Sequence, residues 1–178
     1  MLERLLIANR GEIAIRIART ASDMGIKTVS VFSEDDHLSL HTRHSESAVN
    51  LGQAGVTAYL NAENLIQVAR ETGCDAIHPG YGFLSENYRF AKKVEESGVK
   101  FIGPSWKSIK AMGNKNNAKD VISSANIPLV SGFLVKKEKP VENKKKAKEI
   151  GFPVIAKAAA GGGGKGCLLY TSPSPRDS

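Results

Sequence analysis

Cysteine is almost absent from this 178-residue sequence: Cys74 and Cys167 stand far apart, with no Cys-x-x-Cys spacing and no His/Cys cluster. A disulfide framework and a zinc site of the usual spacing are therefore not supported. Cys74, just ahead of an apolar run, is expected to be a small buried hydrophobe. Long apolar runs are also missing, and none approaches the roughly 18 residues of a membrane span. The N-terminal residues place an acid beside a base and offer no small-residue cleavage site, so they read as a first strand and not a signal peptide. The expected location is the cytoplasm, with no membrane association. Two common nucleotide signatures are lacking as well. No Gly-x-Gly-x-x-Gly follows the first apolar run. A Walker A loop is excluded because Ala159 stands where its first glycine belongs. No internal repeat is present.

What is there is ordinary for a globular protein: 41% hydrophobic and 24% charged residues, enough for at least one core. The net charge of +7 is uneven, with residues 1–100 at −2 and residues 101–178 at +9. The lysines between Lys136 and Lys148 fall in Lys-Lys-Glu-Lys and Lys-Lys-Lys-Ala-Lys clusters without interleaved aromatics. They read as a solvated helix face, and no nucleic-acid partner is expected.

Periodicity predicts alternating strands and helices. Residues 5–8 form a short buried strand, residues 9–12 a tight turn, and apolar positions at Ile13, Ile17, Ala18, Ala21 and Met24 a helix stopped by Gly25. Residues 27–32 are β-branched and read as the second strand. A short strand at 48–51 follows, then a helix capped by Asn61 and ended by Gly73, a strand at 76–78 and a helix over 88–96 closed by Gly98. A strand at 100–103 is cut off by Pro104. Residues 1 to about 110 thus read as a doubly wound α/β domain, whose ligands sit beyond the C-terminal ends of the strands. The turns at 9–12, 78–87 and 103–105 lie on that edge. Beyond Trp106 the expectation is a helix over 108–125, a strand or extended segment at 127–133, a Lys-rich helix over 141–150 ended by Gly151, and a strand at 152–158.

That last strand runs into Gly161, Gly162, Gly163, Gly164, Lys165 and Gly166. Consecutive glycines leave backbone N–H groups unobstructed, so such a loop folds over a polyphosphate and donates to its oxygens. Lys157 ends the apolar strand and needs an anion or a route to water. Lys115 follows Met112-Gly-Asn at a turn, and the two lysines together offer point charges for phosphate.

The segments at 5–16 (LLIANRGEIAIR), 77–87 (IHPGYGFLSEN), 101–105 (FIGPS) and 152–166 (FPVIAKAAAGGGGKG) closely resemble biotin carboxylases. The resemblance covers residues 1–166 in order. It implies a Rossmann-like pre-ATP-grasp domain over 1–112, followed over 113–166 by the start of an ATP-grasp domain that is incomplete. In that family the reaction uses MgATP and bicarbonate to carboxylate biotin carried on a biotin carboxyl carrier protein or domain, feeding a carboxyltransferase. The family resemblance also implies a homodimer in the full-length parent. It assigns ATP contacts to Lys115, Lys157 and residues 161–166, and places the Mg2+ ligands and the catalytic groups beyond this sequence. No catalytic or metal-ligating residue is therefore expected here, and the chain alone is expected to be inactive.

Two departures matter. The family has Asp where this chain has Asn114, which removes a carboxylate partner of the turn. After Gly166 the family continues with Met-Arg and a strand, whereas residues 167–178 read as a foreign tail whose Ser-Pro steps forbid a helix. Two alternatives stand beside the family reading. One is another ATP-grasp ligase such as the carbamoyl-phosphate synthetase large subunit; the other is a non-catalytic nucleotide-binding or dimerisation module. His78 is expected to be a hydrogen-bonded structural residue, and His37, His41 and His44 are not expected to bind metal. Asn87 is expected to cap the following helix, and Glu12 to make a local contact at the first helix start.

Overall fold

The computed structural model describes residues 2–113, 118, 122, 127, 128, 130–135, 138–157 and 167–170. The chain divides into two units, Met1–Lys110 and Ala111–Ser178.

The first unit is built on a five-stranded parallel sheet of β1 (Arg4–Ile7), β2 (Lys27–Phe32), β3 (Ser47–Asn50), β4 (Ala76–His78) and β5 (Lys100–Phe101), in the order β3-β2-β1-β4-β5. Strand β1 sits at the centre and alternates its side chains between the two faces. Leu5 and Ile7 pack against Ala14, Ala18 and Ala21 of α1 (Gly11–Asp23). Leu6 and Ala8 face the opposite core, where α2 (Ala62–Glu71) brings Leu65 and Val68, and α3 (Tyr88–Glu96) brings Phe90 and Val94. Helices thus cover both faces of the sheet, as the alternating pattern predicts.

Local chemistry sets the boundaries. Gly25 (φ +72°), Gly73 (+64°) and Gly98 (+81°) lie just past α1, α2 and α3, in the left-handed conformation that favours glycine. Asn61 Oδ1 accepts from Asn64 N at 3.1 Å, and Asn87 Oδ1 accepts from Arg89 N and Phe90 N at 3.0 and 3.2 Å. Asn87→Ala is expected to lower stability by about 1 kcal/mol in urea unfolding, because two first-turn donors lose their acceptor. Cys74 is buried, and that burial raises its thiol pKa, as a small core hydrophobe requires.

The differences from expectation are local. Helix α1 starts at Gly11, ahead of its first apolar position, because Arg10 already takes the extended N-cap conformation. Helix α4 (Trp106–Met112) begins ahead of the expected Ser108 because Ser105 Oγ accepts from Ser108 N at 3.2 Å. Much of the expected helix over 108–125 lies outside the described residues. Three 3-10 turns, Glu34–Asp36, Leu40–Arg43 and Val56–Leu60, have no counterpart in the sequence reading.

In the second unit, α5 (Pro140–Ile150) carries Pro140 at its start, Glu142 in the first turn and Gly151 (φ +90°) past its end. It buries no residue and lays Lys139 and Lys146 against Glu142 at 3.0 and 2.9 Å, which fits a solvated helix face. Strand β6 (Val154–Lys157) pairs antiparallel with β7 (Cys167–Tyr170), opposing Lys157 to Cys167. Cys167, which the sequence predicts to open a foreign tail, is thus the first residue of a paired strand. The described residues between 127 and 135 carry no helix or strand. Among the described residues, no helix is long and apolar enough to cross a membrane.

Candidate functional site

The strand order reverses between β1 and β4, the point at which doubly wound sheets open a ligand crevice. Here the chain's own groups fill it. Asn9 is fully buried, donates from Nδ2 to Pro79 O at 2.7 Å and Tyr81 O at 3.0 Å, and accepts from Arg10 N at 2.9 Å on Oδ1. Gly80 (φ +67°) lies so close that a Cβ there would come within 2.6 Å of Asn9 Nδ2 and 2.7 Å of Ile13 Cγ2. Tyr81, with its side chain exposed, donates its hydroxyl to Glu12 Oε1 at 3.1 Å. His78 Nδ1 accepts from Gly80 N at 3.0 Å, and burial holds its pKa below the ordinary value. Both observations fit a neutral structural imidazole. Phe83 takes φ +38°, an uncommon conformation for a bulky residue, and stacks its ring on Tyr59 at 5.4 Å. The loop over 79–87 is thus pinned from beneath by Asn9 and from the side by Glu12 and Tyr59.

A second polar constellation sits beside it, past the end of β2. Asp36 accepts from Tyr59 Oη at 2.8 Å, Ser39 Oγ at 3.0 Å and Ser33 Oγ at 3.2 Å, and pairs with Arg10 Nη1 at 3.0 Å. Tyr59 Oη in turn accepts from Ser33 N at 3.1 Å, so this buried hydroxyl is fully used. The Arg10 guanidinium also lies over the Tyr59 ring, 5.9 Å from its centroid. Burial works against the charged form of Asp36, but the hydrogen bonds from Tyr59, Ser39 and Ser33 and the Arg10 charge outweigh it and lower its pKa. Burial raises the Tyr59 phenol. His41, 1% exposed, shares a hydrogen bond of 3.1 Å between Nε2 and Val31 O, while its Nδ1 has no protein partner. Burial lowers its pKa, so it is held neutral with the proton on Nε2. Among the described residues no group of three His, Cys, Asp or Glu side chains is placed to hold a metal.

Nothing in the local sequence marks Asn9, Asp36, Tyr59 and His41 as structural anchors. Their partners lie up to 72 residues away, beyond the reach of periodicity or local spacing. The residues to which the sequence points for nucleotide binding lie in the second unit. The backbone of Lys157 closes β6. Lys115, Gly161, Gly162, Gly163, Gly164, Lys165, Gly166 and the side chain of Lys157 lie outside the described residues.

The family described as "Biotin carboxylase, N-terminal domain" matches residues 1–109, the span of the doubly wound unit. The chain belongs to the biotin carboxylase family. A second family, "Carbamoyl-phosphate synthase L chain, ATP binding domain", matches residues 114–174, a span containing Lys115, Lys157 and the glycine run. Among curated biotin carboxylase relatives, the chain is 50% identical over 167 residues to biotin carboxylase 1 of Bacillus subtilis, covering 93% of this chain and 37% of that protein. It is 46% identical over 169 residues to the 2-oxoglutarate carboxylase small subunit of Hydrogenobacter thermophilus, covering 95% and 36%. The solved biotin carboxylase domain dimer of that H. thermophilus enzyme, in complex with MgADP, ADP and bicarbonate, matches with a TM-score of 0.88 at 45% identity, covering 95% of this chain and 37% of that one. A biotin carboxylase–βγ-ATP complex from Campylobacter jejuni matches with a TM-score of 0.89 at 43% identity, covering 97% and 39%. The chain therefore spans little more than a third of the length of the biotin carboxylases it matches.

Proposed function

We propose that this chain supplies the N-terminal part of an ATP-dependent biotin carboxylase, with a pre-ATP-grasp domain over 1–112 and the start of an ATP-grasp domain over 113–166. The parent enzyme would use MgATP and bicarbonate to carboxylate biotin on a carrier protein or domain, for delivery by a carboxyltransferase to an acyl-CoA or keto acid. It would act as a homodimer. The observation that carries this reading is the order of the two family matches along one chain, the second enclosing both lysines and the glycine run. The match over 1–109 favours biotin carboxylase over a carbamoyl-phosphate synthetase.

In this reading Lys115, Lys157 and residues 161–166 hold the nucleotide. The donor set suits a polyphosphate: ammonium groups and a run of backbone N–H, all of them hydrogen-bond donors, and no carboxylate among them to repel it. Strand β6 supports it by fixing the backbone of Lys157 at the last position of a paired strand. ATP, when bound, supplies the phosphoryl group whose transfer drives carboxylation. The chain's part is electrostatic: ammoniums offset the phosphate charge, and glycine N–H groups cover the oxygens and exclude water. Asn114 beside Lys115 keeps an acceptor for the turn but no charge.

Lys115→Ala and Lys157→Ala are each expected to weaken MgATP binding by about tenfold in calorimetric titration, the loss of one charge-assisted contact. Unchanged binding in both would sink the assignment. The relatives' remaining two thirds has no counterpart in these 178 residues, so the chain's own affinity is expected to be weaker than micromolar. Biotin- and bicarbonate-stimulated phosphate release from it is expected to be nil.

A further inference from the structure

Helices α3 and α4 share a face on which cations and aromatic rings interlock. Lys92 of α3 reaches across to Trp106 of α4, its Nζ 5.3 Å from the ring centroid, and Lys110 of α4 reaches back to Tyr88 of α3 at 5.6 Å. Each ring also meets a cation from its own helix: Lys107 lies 5.8 Å from Trp106, and the Arg89 guanidinium 5.7 Å from Tyr88. Arg89 and Lys92 are three residues apart on α3, as are Lys107 and Lys110 on α4, so each pair projects from one side of its helix. All four cations are exposed. Only Lys92 among them has a carboxylate partner within the described residues, Glu96 of its own helix at 3.4 Å. Trp106 meanwhile packs inward against the first unit's core, which anchors α4 beneath this face.

A ring restrains a cation without neutralising it. Four side chains that would otherwise sample many rotamers are thereby held in place before any partner arrives, which lowers the entropy lost on pairing. We propose that the α3–α4 face is a docking surface for a carboxylate-rich protein surface. Charge complementarity favours that occupant, since the face presents Arg89, Lys92, Lys107 and Lys110 against Glu95 and Glu96, an excess of positive charge. Single-stranded nucleic acid fits less well, because it needs free ring faces for base stacking and both rings are already faced by the chain's own cations. An anionic membrane fits less well too, because Met112, the exposed large apolar side chain of α4, stands two residues from Lys110 and so does not share its side of the helix.

The test titrates the 178-residue chain with a short poly-L-glutamate peptide, following backbone amide shifts and affinity at low and moderate salt. The expected result is shifts concentrated in residues 88–110 and binding that weakens steeply as salt is raised. Charge reversal by K107E/K110E is expected to weaken binding by about tenfold or more. The milder pair K107Q/K110Q keeps much of the side-chain bulk and is expected to weaken it less but in the same direction, with thermal melts confirming that both variants fold. Reversal on α5, K144E/K145E/K148E, is expected to leave affinity within about twofold. The proposal is overturned if the α5 variant abolishes binding while the α4 variants do not, or if shifts scatter over both units. It is equally overturned if an oligonucleotide or a phosphatidylserine vesicle of matched charge binds this face more tightly than the peptide.

Discussion

Replacing Gly80 with alanine is expected to destabilise the first unit by about 2–5 kcal/mol, far more than the same change at Gly82. Both glycines hold a positive φ, +67° and +68°, so the backbone part of the penalty is common to them. They differ in what a Cβ meets. At Gly82 nothing lies within 4 Å, whereas at Gly80 the new atom would press on Asn9 Nδ2 and Ile13 Cγ2. Asn9 cannot retreat cheaply, because its Nδ2 is already committed to Pro79 O and Tyr81 O and its Oδ1 to Arg10 N. Moving it would leave buried polar groups unpaired, the expensive side of the hydrogen-bond balance. Denaturant unfolding of the two variants decides the matter. Gly82→Ala is expected near the conformational penalty of about 1 kcal/mol, and equal losses at both positions would show that the crevice is not packed as described.

The second large effect is expected at Asp36. Asp36→Ala removes the acceptor for Tyr59, Ser39 and Ser33 and the counter-charge for Arg10, and a loss of about 3–5 kcal/mol is expected for breaking a half-buried charged network from one side. Tyr59→Phe, which takes away one hydroxyl and leaves the carboxylate in place, is expected to lose less. The pH dependence separates the groups. Asp36 has a lowered folded pKa, so its contribution is present above the unfolded value of about 3.9 and disappears as pH falls through the folded one. His41 has a lowered folded pKa as well, but its neutral form is the stable one inside. As pH falls below the unfolded value of about 6.5, the unfolded chain takes up a proton that the folded chain resists, and stability declines. His78 acts in the same direction. The wild type is therefore expected to lose stability in two stages on acidification, one beginning below about pH 6.5 and one below about pH 4. Asp36→Asn should keep the first and flatten the second. A profile in which Asp36→Asn leaves the acid stage unchanged would move the carboxylate's role elsewhere.

These two sites show where sequence reading reaches its limit. Strand β2 could be read to its ends because Lys27–Phe32 combines β-branched residues with a glycine stop before it. Helices α2 and α3 could be read because Asn61 and Asn87 cap them and Gly73 and Gly98 end them, all within a few residues. The Asn9 plug and the Asp36 network join segments across the sheet edge, and nothing in the local sequence marks which distant carbonyl or hydroxyl will meet them. The 3-10 turns over Glu34–Asp36 and Val56–Leu60 were illegible for the same reason, since Asp36 and Tyr59 find each other only once β2 and α2 are in place. The nucleotide site differs again. Its glycine run and lysines were conspicuous in sequence because their chemistry is carried by composition and order, and they stand as a proposal resting on the family match over 114–174.

That proposal is open to one direct measurement. An acyl-phosphate derivative of ATP transfers its acyl group to whichever lysine ammonium lies against the bound phosphates, and peptide mass spectrometry then reports the modified positions. Incubating the 178-residue chain with such a probe should label Lys115, Lys157 or both ahead of the chain's other lysines, with millimolar MgATP suppressing that labelling. Labelling spread evenly over the exposed lysines of α5 and α3, and unaffected by MgATP, would contradict the assignment of a phosphate cradle to this chain.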